Sequence, residues 1–177
     1  MATVREGDKT ALLVVDVQRG VVENCYDRDR IVSNIAAEVE KARSKEMPVV
    51  WIQHSDDELI KGSENWEIVS ELSPAADEAR IDKHFESSFE GTELETTLAA
   101  ANVSHIMLAG AATNWCIRAT AYGALDRGYD LTLLKDCHTT SDLDFGEGVR
   151  VEAKSMILDL NTVMTWIQYP GRKAGVA

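Results

Sequence analysis

Apolar residues along this chain follow two rhythms. The run from Thr10 to Val17 is short and rich in β-branched side chains, which predicts a strand buried on both faces. From about Arg30 to Lys45 the pattern changes to helical spacing, with Ile31, Ile35, Val39 and Ala42 on one side. Pro48 then opens a second apolar run, Val49 to Ile52, completing a βαβ unit. The second half repeats the alternation. Helices are predicted over Glu93–Ala101, Asn114–Arg127 and Glu147–Leu160, and strands over His105–Ala109, Leu131–Leu134 and Val163–Ile167. Residues Gln53 to Phe89, which carry Gly62, Trp66 and Pro74, keep neither rhythm and read as a long loop or active-site rim.

Such alternation demands a mostly parallel sheet, because parallel strands must be joined by right-handed helical crossovers. The predicted fold is α/β: a three-layer, doubly wound, Rossmann-like sheet with helices on both faces, in one domain spanning residues 1–177. Sheets of this kind bind ligands beyond the carboxyl ends of their strands. Asp16, closing the first strand, and Cys116, just past a later one, both fall at that edge.

Composition narrows the function classes. A hydrophobic content of 45% and a charged content of 27% are ordinary for a globular chain of 177 residues. Eighteen basic against thirty acidic residues give a net charge of −12, which argues against a nucleic-acid or anionic-membrane partner. The three cysteines, Cys25, Cys116 and Cys137, form neither a CxxC motif nor an even framework, which suits a reducing, cytoplasmic setting. The N-terminal residues lack the apolar stretch of a signal peptide, and no window reaches membrane-spanning length.

The candidate chemistry centres on Cys116. It lies in Ala111-Ala112-Thr113-Asn114-Trp115-Cys116, where an apolar strand breaks on small residues and a helix begins. A thiol in a first helical turn meets unpaired N–H groups and the positive end of the helix dipole, which favour thiolate. On the sulfur alone, a buried inert cysteine is an equal alternative. Asp16 ends an apolar run, where a carboxylate needs a partner or a task; a structural ion pair is as good a reading. Lys83 by itself reads as a solvated surface charge.

Taken in order, these motifs resemble the isochorismatase-like cysteine hydrolase family. The chain carries Asp16-Val17-Gln18, then Lys83 ahead of Ser88-Phe89-Glu90-Gly91-Thr92-Glu93-Leu94, then Thr113-Asn114-Trp115-Cys116, then Gly128-Tyr129-Asp130-Leu131. Asp136-Cys137-His138-Thr139-Thr140 also looks like the family's segment after the following strand. The resemblance covers about residues 10 to 167. It implies a triad in which Asp16 is the general base, Lys83 holds the carboxylate and favours thiolate, and Cys116 attacks a carbonyl-type carbon. It also implies a cis peptide between Ala111 and Ala112, an oxyanion hole from the N–H groups of Ala112 and Cys116, and self-association into homo-oligomers.

The expected reaction is hydrolysis of a C–N bond in a small molecule, an amide, lactam or carbamoyl group, through a thioester intermediate. Gln18, Trp66, Phe89, Trp115 and Tyr122 are the candidate substrate-binding residues, although aromatic side chains are more often core than pocket wall. The family's metal-binding nicotinamidase branch uses a D-x-H motif after the second strand. Here that stretch reads Gln53-His54-Ser55-Asp56-Asp57, so neither a metal nor another cofactor is expected. Trp51-Ile52-Gln53-His54 and the segment Trp66 to Pro74 look like the lactam-opening streptothricin-hydrolase type. The alternatives are vinyl-ether hydrolysis of isochorismate with Asp16 as acid, and a non-enzymatic thiol redox sensor or scaffold. A Rossmann-type nucleotide binder is disfavoured, because the first strand ends in Asp16-Val17-Gln18 rather than a glycine-rich turn.

Overall fold

The computed structural model describes residues 5–177. In chain order the elements are β1 (Lys9–Val15), α1 (Arg19–Val22), α2 (Arg28–Ser44), β2 (Val49–His54), β3 (Ala79–Lys83), α3 (Leu94–Ala100) and β4 (Val103–Ala111). A π-helical turn over Thr113–Ile117 runs into α4 (Arg118–Asp126), followed by β5 (Asp130–Thr139), β6 (Leu143–Asp144), β7 (Arg150–Val151), α5 (Ala153–Trp166) and β8 (Ala174–Val176). Six strands form one sheet in the order β3-β2-β1-β4-β5-β8, and every neighbouring pair is parallel. β6 and β7 form a separate antiparallel hairpin.

The two-residue period of a strand divides its side chains between two cores. In β1, Leu13 and Val15 join Leu94 and Leu98 of α3, Ala121 of α4 and Leu160 of α5 on one face. Leu12 and Val14 join Ile31, Ile35 and Val39 of α2 on the other. The doubly wound, three-layer reading of the sequence is the observed architecture. Among the described residues, no helix is long and apolar enough to cross a membrane.

Three boundaries differ from the sequence pattern. β3 lies inside the stretch read as a loop, because as an edge strand it buries only Ile81 and Lys83 among charged neighbours. The helix expected over Glu147–Leu160 starts instead at Ala153, since Gly146 and Gly148, both with positive φ, turn the β6–β7 hairpin ahead of it. Val163–Ile167, expected as the last strand, mostly completes α5, where Met156, Leu160 and Met164 repeat every four residues into the core. The true last strand is Ala174-Gly175-Val176, with too little apolar contrast to stand out.

Two contacts hold the sheet in the shape the site needs. Gly110 faces Val15 across the β1–β4 pair, and a Cβ there would lie 1.9 Å from the Val15 carbonyl oxygen. Its φ of 127° is also a region that side-chain-bearing residues avoid. Next to the start of β3, the Glu78 carboxylate accepts from Arg43 Nε and Nη2 at 2.8 and 2.9 Å, Trp51 Nε1 at 2.7 Å and the Ala75 N–H at 2.8 Å. Burial pushes the Glu78 carboxyl up, but these donors outweigh it and hold the group down at about 2.

Gly110→Ala forces β1 and β4 apart beside the site, and chemical denaturation is expected to show a loss of about 1–3 kcal/mol or more. For Glu78 the sign follows from its depressed folded value. Its stabilisation is complete above the ordinary value of 4.5 and is lost as pH falls through that value toward about 2. Glu78→Gln should therefore lower stability at neutral pH, on the order of 2 kcal/mol, and flatten the acid limb of the denaturation midpoint against pH.

Candidate active site

Three strand ends bring the candidate residues together. Asp16 follows β1 with a left-handed φ of 52°, a conformation that Asp adopts more readily than most residues, and its N–H donates to the Ile52 carbonyl at 2.8 Å. Lys83 closes β3 directly beside His54, its register partner at the end of β2. Cys116 lies in the π-helical turn after β4, not in the first turn of an α-helix, and the Ala111–Ala112 peptide leading into that turn is cis. All three meet at the carboxyl edge of the sheet.

The Lys83 ammonium is the hub. Its Nζ lies 2.8 Å from Asp16 Oδ2 and donates to Cys116 Sγ at 3.3 Å, to the Phe85 carbonyl at 3.1 Å and to His54 Nδ1 at 3.2 Å. Both charged side chains are enclosed, Lys83 at 0% and Asp16 at 1% exposure. The surface-lysine reading of Lys83 is thereby corrected: the edge strand ends by turning this side chain inward. Asp16 pairs with the ammonium through Oδ2, and each carboxylate oxygen has more than one lone pair, so the group can still take a proton.

Electrostatics in this enclosure differ from the sequence expectation. Burial raises the Asp16 carboxyl above the ordinary carboxylate value, although the Lys83 charge opposes the rise. Burial and then the Asp16 charge push the Cys116 thiol up to about 12, with Lys83 only partly offsetting them. The resting group is a thiol beside a carboxylate with raised proton affinity. Desolvation, not the turn or the lysine, sets the balance.

Neighbouring motif residues build the frame. The Thr113 hydroxyl contacts His138 Nδ1 at 2.9 Å, His138 Nε2 contacts Asn161 Oδ1 at 3.1 Å, and the Thr140 hydroxyl donates to Asn114 Oδ1 at 2.6 Å. Burial lowers the His138 pKa, keeping the ring neutral within this chain of bonds. Ser88 and Thr92 fold the segment after Lys83 onto α4, through Ser88 N–H to Thr120 Oγ1 at 3.0 Å and Thr92 Oγ1 to the Ser88 carbonyl at 2.6 Å.

The substrate-wall expectations divide. Gln18 is fully buried and its amide is spent on the scaffold: Nε2 donates to the carbonyls of His54 and Trp66 at 2.9 and 2.8 Å, and Oε1 accepts from the His54 N–H at 2.8 Å. It is a bracket between strand ends, not a wall. Phe89 is 5% exposed and stacks on Tyr129 in the core, with Tyr122 packed against the same cluster. Trp66 is half-buried and offers its carbonyl to Gln18 and Gln53. Trp115, adjacent in sequence to Cys116, is 54% exposed, and Phe85, whose carbonyl binds Lys83, is 55% exposed. Sequence reasoning missed Phe85 and His54; a histidine ending β2 beside a strand-terminal lysine was the available signal. Among the described residues, no group of three or more His, Cys, Asp or Glu side chains is placed to hold a metal ion.

Comparison with known proteins shows the family to which the chain belongs. A family model described as the isochorismatase domain matches residues 10–168, and the chain belongs to the isochorismatase family of hydrolases. Streptothricin hydrolase of Streptomyces noursei is 30% identical over 145 residues, covering 78% of this chain but only 58% of that protein. Ureidoacrylate amidohydrolase of Caulobacter vibrioides is 23% identical over 200 residues, 89% of this chain and 86% of that one. The crystal structure of an isochorismatase from Pseudomonas putida superposes with a TM-score of 0.84 at 23% identity, covering 97% and 90% of the two chains, and so shares the fold.

Because the Asp16 charge contributes to the raised Cys116 value, Asp16→Asn should alkylate faster with iodoacetamide at neutral pH than the parent protein. In the parent the rate should keep rising with pH through about pH 9 without a plateau. Mass spectrometry of the Cys116 peptide measures both; a plateau near neutral pH would show a preformed thiolate.

Proposed function

We propose that the protein is a cysteine-dependent amidohydrolase acting on an amide, lactam or carbamoyl C–N bond of a small molecule. The observation that carries the reading is the meeting of sulfur, carboxylate and ammonium around Lys83 Nζ, the longest of these contacts being 3.3 Å. The names of two relatives, a streptothricin hydrolase and a ureidoacrylate amidohydrolase, support it.

Cys116 attacks the carbonyl carbon while its proton passes to Asp16, so no free thiolate has to accumulate in the apolar enclosure. Lys83 donates to the sulfur as negative charge develops there. The N–H groups of Ala112 and Cys116 stabilise the oxyanion of the tetrahedral intermediate. When the C–N bond breaks, Asp16 returns the proton to the departing nitrogen, leaving a thioester on Cys116. Asp16 then takes a proton from water, whose oxygen attacks the thioester; collapse releases the acid and restores the thiol. The raised affinity of Asp16 for a proton suits this double use. Trp115 and Phe85, exposed aromatics adjacent to Cys116 and bonded to Lys83 respectively, are the proposed substrate walls.

The test is a panel of primary amides, lactams, N-carbamoyl compounds, nicotinamide and isochorismate, assayed with the parent protein and Cys116→Ala. Turnover of a C–N substrate is expected, with kcat/KM falling about a thousandfold or more in the variant. An acyl adduct on Cys116 should appear by mass spectrometry during turnover. Undiminished hydrolysis in Cys116→Ala, or turnover confined to isochorismate, overturns the proposal.

A further inference from the structure

Charge is spread unevenly around the carboxyl edge of the sheet. Of the lysines and arginines in the segments leaving the strands there, Arg19, Arg28, Arg30, Lys61, Arg118 and Arg150 each pair with a carboxylate. Lys83, the one that reaches sulfur, is engaged by Asp16 at 2.8 Å. Among the described residues of these segments, Lys154 in the first turn of α5 is the one cation left without such a partner. Carboxylates with no basic partner are more numerous: Glu23, Asp57, Glu58, Glu86, Asp144 and Glu147 are all exposed in the same segments. The edge as a whole is negative.

Asp56 and Glu86 carry that sign to the reacting groups. Asp56 Oδ2 lies 3.1 Å from His54 Nε2, and Nδ1 of the same ring lies 3.2 Å from Lys83 Nζ, so one imidazole separates the carboxylate from the ammonium. The N–H groups of Leu59 and Glu58, at 2.7 and 2.8 Å, hold the Asp56 carboxyl below its ordinary value, and it stays an anion. Glu86 follows Phe85, whose carbonyl binds Lys83. Phe85 and Trp115, the latter next to Cys116 in the chain, expose more than half of their surface, and an aromatic face attracts a cation.

We propose that the amide this site accepts is uncharged or, preferentially, cationic, and that the Asp56 and Glu86 carboxylates turn away substrates bearing a carboxylate or phosphate. An anion arriving at Cys116 meets two like charges and finds the Lys83 ammonium already engaged. A cation meets attraction from both acids and both rings. The inference rests on the amidohydrolase reading and names the charge class of its substrate.

The sulfur itself reports the local field. A methanethiosulfonate reacts with a thiolate by forming a mixed disulfide and releasing methanesulfinate, so reagents carrying a trimethylammonioethyl or a sulfonatoethyl group compare a cation with an anion at one atom. Rates at Cys116 are read by mass spectrometry at about pH 8, each divided by the rate of the same reagent with β-mercaptoethanol. At about 10 mM ionic strength the cationic reagent should be favoured about tenfold or more; at about 1 M salt the ratio should fall toward one, as the Debye length shrinks from about 30 Å to about 3 Å. One charge about 10 Å away alters the encounter of a monovalent reagent about twofold in water, in opposite senses for the two reagents, so Asp56→Asn combined with Glu86→Gln should lower the low-salt ratio about fourfold or more. Among matched amides that turn over, the cationic member should have the higher kcat/KM than its carboxylate analogue. A low-salt ratio of one or below, a ratio that either high salt or the double variant leaves unchanged, or the reverse order of kcat/KM overturns the proposal; the salt series decides if the double variant does not fold. Failure of every amide to turn over would instead overturn the amidohydrolase reading, and the labelling ratios would still decide the charge preference.

Discussion

Everything at this site depends on one enclosed ammonium. Moving an ion of that size out of water costs several kcal/mol even after relaxation, so an enclosed ammonium needs compensating groups around it. Asp16 supplies the opposite charge, while Phe85, His54 and Cys116 supply acceptors. The arrangement is poor as a stabilising device, because Asp16 is desolvated and its proton affinity is raised. By the sign of that shift, Asp16 stabilises the fold most when protonated and loses that contribution as pH rises through its elevated value. A buried pair with a raised carboxyl at the edge of a sheet is the kind of arrangement found at functional sites, and it supports the proposed role.

The sheet is the means of holding it. β1, β3 and β4 each deliver one member of the trio at the same edge, and parallel hydrogen bonding fixes their relative heights. Gly110 lets β4 approach Val15 closely just before the π-helical turn that carries Cys116. Gln18 ties the segment after β1 to the end of β2, and Thr113, His138 and Asn161 tie the turn to β5 and α5. Many of the motif residues thus act as scaffold, and the groups proposed to react are few.

The chemistry this permits is a transfer, not a standing charge separation. A thiol pushed up to about 12 is a weak nucleophile at rest, and a carboxylate beside it with raised proton affinity is the natural recipient of its proton. In the proposed reaction, a carbonyl bound against the N–H groups of the turn would let attack and proton transfer proceed together.

Much of this was legible in the linear chain. Alternating strand and helix rhythms gave the doubly wound sheet because burial on both faces makes the core strands apolar throughout, as in Leu12 to Val15. Asp16 and Cys116 stood out because each interrupts or follows such a run. Lys83 was found only through its place ahead of the Ser88 to Leu94 motif and β3 was read as loop, since an edge strand mixes charged and apolar residues and a lysine by itself reads as surface. Nor could the pattern show that Gln18 and Phe89 belong to the scaffold, that α5 starts at Ala153, or that His54 faces the ammonium. Local order therefore determined the element types, their succession and the edge at which chemistry gathers. Only the tertiary structure decided which side chains were deprived of water and which acceptor each N–H found, because desolvation and hydrogen-bond direction arise from residues far apart in the chain.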